Sequence, residues 1–258
     1  MSERGLVAGT KIDVSNLSVW YADVPSLRNL NIAVPARKTV AFVGPAGGGK
    51  TTLFKAINRL HDLNPKTRVT GTIKLDGADI MAPGTDVAAL RRRAGMLFAR
   101  PAIWPLSVFD NVALGLRARG MADRRQVEWR CEQALRDALV WERVRDVLAR
   151  PAASLALDVQ QQVCLARSLA LDPDVLLFDD PTSCMETIAA RRVEDVLARV
   201  RSHRTVLLAT GDLHQAARLS DTACYVCGGD IVESGDTTSF FVRPADSRTE
   251  DFLAGRAS

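Results

Sequence analysis

The segment Gly44-Pro45-Ala46-Gly47-Gly48-Gly49-Lys50-Thr51 restricts what this chain can fold into more than any other. It is a complete G-x-x-x-x-G-K-[ST] pattern, and its surroundings supply the context that the pattern requires. An apolar, strand-like run over 40–43 leads into it, and an amphipathic helical stretch over 51–60 leads out from it. Glycines let successive backbone N–H groups converge on an anion, and the start of the following helix adds its dipole. In such a loop Lys50 reaches the terminal phosphates and the Thr51 hydroxyl coordinates Mg²⁺. The metal then needs a carboxylate at the end of a buried strand. Asp179 closes the apolar run Val175-Leu176-Leu177-Phe178 and fits that role.

The rest of the pattern predicts an α/β fold. Strand-like runs cover 12–19, 30–34, 39–43 and 70–75, the last followed by the turn Asp76-Gly77. Between 101 and 154 the texture is helical, with Trp129, Leu135, Leu139, Val144 and Leu148 spaced for one buried face. A helix over 160–171, the doubly buried strand 175–178, a helix over 187–201 and a strand over 205–209 follow. A hairpin over 224–233 ends the series. Strands alternating with helices imply a parallel sheet with helices on its faces, and the helical middle reads as an insert.

Composition excludes several functions. With Lys+Arg 34 against Asp+Glu 30, the net charge of +4 is too mild and too scattered for a nucleic-acid binder. The one basic run, Arg91-Arg92-Arg93, reads as a solvated helix face. The cysteines do not form a disulfide framework, which suits a reducing compartment. Cys224 and Cys227 have C-x-x-C spacing, but on a strand positions i and i+3 face opposite ways, so no zinc site is expected. Residues 1–6 lack the apolar core of a leader, and no run approaches the ~20 apolar residues of a membrane span. A cytosolic chain that meets the membrane only through partners is expected.

From these motifs the chain resembles the ATP-binding subunits of ABC importers, the phosphate-import type in particular. The resemblance runs through Ile57-Asn58-Arg59-Leu60, Arg91-Arg92-Arg93-Ala94-Gly95-Met96-Leu97-Phe98 and Ser107-Val108-Phe109-Asp110-Asn111-Val112. It continues in Gln215-Ala216-Ala217-Arg218-Leu219-Ser220-Asp221 and Arg248-Thr249-Glu250-Asp251-Phe252. It implies a P-loop NTPase domain over 10–250, with a RecA-like core (10–98 and 164–240), a helical subdomain (99–163) and a tail (241–258). It also implies ATP and Mg²⁺ as cofactors, and a second ATPase subunit, identical or homologous, across a head-to-tail interface. Two permease subunits in the membrane would complete the assembly, with this chain on its cytoplasmic face. Gly44, Pro45, Ala46, Gly47, Gly48, Gly49, Lys50, Thr51 and Thr52 match the nucleotide-binding positions, and Tyr21 the aromatic that stacks on adenine.

The departures from that family cluster on one chemistry. Ala99 stands where a glutamine contacts metal and water, and Asp180 where a glutamate is the presumed base, one methylene short. Gly211 takes the place of a histidine that contacts the γ-phosphate; His214, three residues on, is expected to face elsewhere. Leu155-Ala156-Leu157-Asp158-Val159 occupies the LSGGQ signature, and Ser183-Cys184-Met185-Glu186 replaces Ser-Ala-Leu-Asp. A bare Asp158 charge ~5 Å from a phosphate would cost roughly 3 kcal/mol at an effective dielectric of ~20. Two functions are therefore expected to compete. One is an importer subunit that energises or gates permeases. The other is a pseudo-ATPase that binds ATP-Mg in a regulatory or structural role, with hydrolysis weak or absent.

Overall fold

The computed structural model describes residues 9–256, so residues 1–6, read above for a leader, lie outside the described part. Contacts group the described residues into two units, 9–91 with 203–256, and 92–202.

The first unit begins with three long antiparallel strands. β1 (Thr10–Tyr21) pairs with β2 (Val24–Pro35) on one side. Later in the chain, β4 (Thr67–Leu75) pairs with its other side, and the short β5 (Ala78–Asp79) pairs with β4. Ile12, Val14, Leu17 and Val19 of β1 are buried, and the alternation skips a step at Asn16. There the backbone turns left-handed (φ 52°) and the register shifts, a bulge that asparagine tolerates better than most residues.

β3 (Thr39–Val43) is buried along its whole length and leads through the glycine-rich loop into α1 (Lys50–Ile57). A short 3-10 turn over Leu60–Leu63 follows. The helix expected to reach Leu60 therefore stops earlier, because Arg59 takes a left-handed φ of 54°. Helix α2 (Val87–Arg93) then carries the chain into the second unit.

In the second unit β6 (Ala94–Leu97) runs parallel to β7 (Val175–Asp179). Between them lie α3 (Val108–Ala118), α4 (Arg124–Asp137), α5 (Trp141–Val144) and α6 (Leu157–Leu169), and α7 (Thr187–Val200) follows β7. Helix α6 is nearly encircled, packing on α3, α4 and α7. The buried stripe expected through Trp129 and Leu139 is corrected here. α4 buries Val127, Cys131, Ala134 and Leu135, which leaves Trp129 58% exposed. The helix then ends, Leu139 takes a left-handed φ of 52° and turns out, and Val140 is buried instead. A single helical period had been carried through a turn. Leu135 and Val144 are buried as expected.

The chain returns to the first unit as β8 (Thr205–Ala209), α8 (Leu213–Leu219), β9 (Thr222–Cys227), β10 (Asp230–Asp236), α9 (Thr237–Val242) and α10 (Ser247–Leu253). β3 lies between β8 and β9, parallel to both, and β10 closes a hairpin on β9. No helix among the described residues is long and apolar enough to cross a membrane.

The last helix is pinned by one carboxylate. Glu233 of β10 accepts the backbone N–H groups of Ala245 (2.7 Å) and Asp246 (3.0 Å), while Phe252 stacks on Tyr225 at 4.7 Å. Burial alone would raise the pKa of Glu233, but the hydrogen bonds it accepts outweigh that and hold it below the usual range. A depressed carboxylate stabilises the fold above its unfolded pKa and ceases to as pH falls through the folded value. Glu233→Gln is expected to cost about 1 kcal/mol near neutral pH, after allowance for solvent screening. Urea unfolding should show that gap shrinking once wild-type Glu233 is itself protonated.

Candidate functional site

The glycine-rich loop is shaped by backbone that passes very close behind it. A Cβ built on Gly44 (φ 146°) would lie 2.1 Å from the Val226 carbonyl oxygen of β9. One on Gly49 (φ 112°) would lie 2.6 Å from the Leu27 side chain. Both positions therefore require glycine, for space and for their left-handed φ. The hairpin joins in with hydrogen bonds: Gly229 N–H donates to Gly48 O at 3.0 Å, and Arg28 N–H to Gly229 O at 2.8 Å.

Lys50, at the start of α1, is 7% exposed and folds back into the loop, donating to Gly44 O (2.7 Å) and Pro45 O (2.9 Å). Its ammonium is thus held against two carbonyls at the start of the loop. Thr51 is half-buried in the first turn of α1. Thr52 is buried and shares a 2.8 Å hydrogen bond with the Ser26 hydroxyl, a structural brace on β2. Tyr21 ends β1, half-buried, while its neighbour Trp20, on the opposite face, is covered by the Arg68 guanidinium at 3.8 Å. Gly211 is open, with nothing within 4 Å of an added Cβ. His214 is exposed on α8. Cys224 is buried on β9 and Cys227 is half-buried at its end, both as thiols; burial drives the Cys224 pKa up to about 12.

The second unit holds the other candidates. Asp179 is 7% exposed at the end of β7. Asp180 follows with a left-handed φ of 48°, and the Ser183 N–H and hydroxyl both donate to its carbonyl. Ala99 is half-buried just beyond β6.

Two features of α6 were not anticipated. Gln161 is fully buried, and its amide donates to Phe98 O (2.7 Å) and Pro181 O (3.0 Å), tying the segment before Ala99 to the one after Asp180. Three consecutive glutamines span about 200° of a helix and can all lie off a buried stripe, so their order alone did not mark Gln161 as buried. The expectation that Asp158 would face a phosphate as a bare charge is also corrected. Its carboxylate, 5% exposed, accepts from Arg143 (2.7 Å) and Arg192 (3.0 Å), and the two guanidiniums offset its charge.

A glycine cradle between a buried parallel strand and a helix, with a lysine turned into it, defines a P-loop nucleotide-binding domain. The ABC transporter family profile matches residues 27–183, and the chain belongs to that family. It is 39% identical over 243 residues to phosphate import ATP-binding protein PstB 3 of two Streptococcus pneumoniae strains, covering 94% of this chain and 97% of theirs. Among solved structures it resembles cbiO1 from Clostridium perfringens, part of the ABC transporter complex cbiONQ. That match has a TM-score of 0.79 and 21% identity, covering 96% of this chain and 97% of that one. A bacterial Atm1-family ABC exporter with ATP bound matches with a TM-score of 0.79 and 25% identity, over 98% of this chain and 43% of that one. The ATP-binding cassette MJ0796, in a dimeric post-hydrolysis state bound to ADP and Pi, gives a TM-score of 0.76 at 23% identity over 88% and 98%.

Gly44→Ala is expected to destabilise the domain by about 1–3 kcal/mol through steric overlap with Val226. Gly211→Ala, in open space, should be close to neutral. Denaturant midpoints of the two variants measure the contrast, and equal midpoints would show that the cradle does not need its first glycine.

Proposed function

We propose that this protein is the ATP-binding subunit of a phosphate-type ABC importer, and that it grips ATP-Mg well but hydrolyses it poorly. The carrying observation is the intact cradle, Gly44 and Gly49 fitted against passing backbone and side chain with Lys50 turned inward. The importer class rests on likeness along nearly the whole chain to a phosphate import protein.

The residues present fit a bound nucleoside triphosphate. The glycines free N–H groups for phosphate oxygens, and Lys50 exchanges loop carbonyls for phosphate without crossing water. Thr51 supplies a hydroxyl, and Asp179 a carboxylate oxygen, suited to a hard cation such as Mg²⁺. Tyr21 offers a ring face to adenine. Bound Mg²⁺ would offset phosphate charge. Binding of this kind depends on backbone shape and one ammonium, which the chain keeps.

Priming water is a different task, and here side chains are missing. Ala99 offers no oxygen, Gly211 no imidazole, and Asp180 is the weak remaining candidate for a base. Misplacement of a base by about 1 Å can cost 100-fold. These losses favour the second reading, in which ATP-Mg stabilises or regulates a complex instead of being turned over.

Docking on a permease has its own support. The loop over 103–106 presents Trp104 (53% exposed) and Leu106 (37%) to solvent, yet it is stiff. The fully buried Asn111 accepts from Trp104 N–H and donates to the carbonyls of Trp104, Leu106 and Ser107. A rigid, exposed aromatic is a favourable anchor for a partner.

Lys50→Ala should weaken ATP-Mg binding by about 10- to 100-fold, the worth of charged hydrogen bonds. Calorimetric titration with and without Mg²⁺ reads this directly, and an undetectable wild-type affinity would refute the binding half of the proposal. Phosphate release by wild type should barely exceed that of Lys50→Ala; an excess of orders of magnitude would refute the other half. Trp104→Ser should leave ATP affinity unchanged and cost ~2 kcal/mol or more in binding to co-expressed permease subunits. Undiminished co-purification would remove the loop from that interface.

A further inference from the structure

Helix α6 carries three glutamines in a row, and each gives its side-chain amide to two backbone carbonyls. Gln160 Nε2 donates to Ala153 O (3.2 Å) and Leu155 O (2.7 Å), on the segment that leads into the helix. Gln162 Nε2 donates to Ala138 O (3.0 Å) and Leu139 O (3.3 Å), at the turn after α4. Gln161 reaches a different place. Its Nε2 donates to Phe98 O at 2.7 Å and Pro181 O at 3.0 Å, just past the ends of β6 and β7. We infer that Gln161 is a positioning residue, a clamp that fixes the strand end carrying Asp179 and Asp180 against the segment carrying Ala99. The consequence for metal rests on the function proposed above; the clamp itself does not.

The need for a clamp follows from where the sheet stops. The parallel ladder of β6 with β7 ends at the pair Leu97 and Phe178, and both metal-side segments lie beyond it. A buried carbonyl past the ladder needs another donor. One primary amide has two N–H groups, enough for a carbonyl from each strand end. The turn after β7 is then held from two sides. Asp180 is left-handed (φ 48°) and its carbonyl accepts from the Ser183 N–H and hydroxyl, while Gln161 holds the next carbonyl, that of Pro181.

The amide can face only one way. Gln161 is fully buried, and exchanging its nitrogen and oxygen would set Oε1 against two carbonyl oxygens. In the observed orientation Oε1 accepts no hydrogen bond among the described residues, which is unfavourable for a buried acceptor. An apolar side chain of the same length would fill the space without that penalty. What the amide contributes is therefore the link between the two carbonyls. Groups that orient a metal-holding side chain are worth about 10- to 100-fold in metal affinity. Without Gln161 the Asp179 carboxylate remains, but the strand end behind it loses one of its two holds.

The test uses Gln161→Met, which keeps the length and removes both donors. Gln162→Met is the control, since it removes an equivalent pair of amide–carbonyl bonds elsewhere on α6. ATP is titrated by calorimetry into each full chain, with and without Mg²⁺. In Gln161→Met the gain in ATP affinity that Mg²⁺ brings should fall about 10-fold. Affinity without Mg²⁺, which the cradle sets, should stay within about twofold of wild type. Gln162→Met should keep the Mg²⁺ gain whatever it does to the unfolding temperature. Gln161→Asn, one methylene too short to reach both carbonyls, should fall in the same direction and serves if the methionine variant does not fold. A Gln161 variant that only melts earlier, with its Mg²⁺ gain intact, overturns the proposal. So does an equal fall in Gln162→Met. Hydrogen exchange on the nucleotide-free proteins separates the clamp from the nucleotide reading: amides of residues 98–100 and 182–184 should exchange faster together in Gln161→Met and not in Gln162→Met. Absence of that pattern overturns the clamp. A wild type that shows the pattern's slow exchange but binds no ATP refutes the nucleotide-binding function and leaves the clamp standing.

Discussion

The close passage of β9 behind the glycine-rich loop is the contact on which the nucleotide-binding half of this molecule depends. The Val226 carbonyl occupies the space a side chain at position 44 would need, so the loop can fold only with hydrogen there. That approach in turn requires β9 to lie directly beside β3, in the parallel register Phe42 with Cys224 and Val43 with Tyr225. The Gly229–Gly48 hydrogen bond continues the contact past the end of the sheet. The cradle is thus an extension of sheet pairing, with the rigidity of a buried ladder. This explains how a loop with glycine at four of the six positions 44–49 holds one shape despite the entropy glycine carries in an unfolded chain.

The second unit is organised by polar groups that have left water. Helix α6 buries Asp158, Gln161 and Gln162 in its first two turns, and each has hydrogen-bond partners of its own, although Gln161 Oε1 accepts none among the described residues. Asp158 takes two guanidiniums, Gln161 two strand-end carbonyls, and Gln162 the carbonyls that end α4. Burying such groups is tolerable only when they are hydrogen-bonded, and once bonded they fix position more sharply than apolar contacts do. The left-handed turn at Leu139, which no helical period could foretell, is one that Gln162 holds.

The difference between what the sequence made legible and what it hid follows the same division. The cradle, the strand 175–179 and the helix 187–200 were readable because each depends on local order: a spacing of glycines, an unbroken apolar run, a 3.6-residue period. A parallel sheet was expected from strands separated by helices, but which strands would pair, β3 with β8 and β9, was not. Trp129 and Leu139 were misread because a helix end sat between them and the rest of the stripe. Asp158 was misjudged for a deeper reason. Its partners are 15 and 34 residues away in sequence, and charge compensation at that distance leaves no periodic trace.

The proposed combination, ATP-Mg gripped but poorly hydrolysed, has a physical basis in this chain. Gripping a triphosphate uses backbone N–H groups and one ammonium, and those are guaranteed by glycine positions that the fold itself enforces through Val226 and Leu27. Side chains that prime water have no such guarantor. Nothing packs within 4 Å of a Cβ at Gly211, so the fold neither demands nor forbids an imidazole there. A chain under no demand to hydrolyse can lose those groups at little structural cost, whereas loss of Gly44 would disturb the sheet. The cradle therefore persists as part of the fold, and the chemistry beside it is free to change.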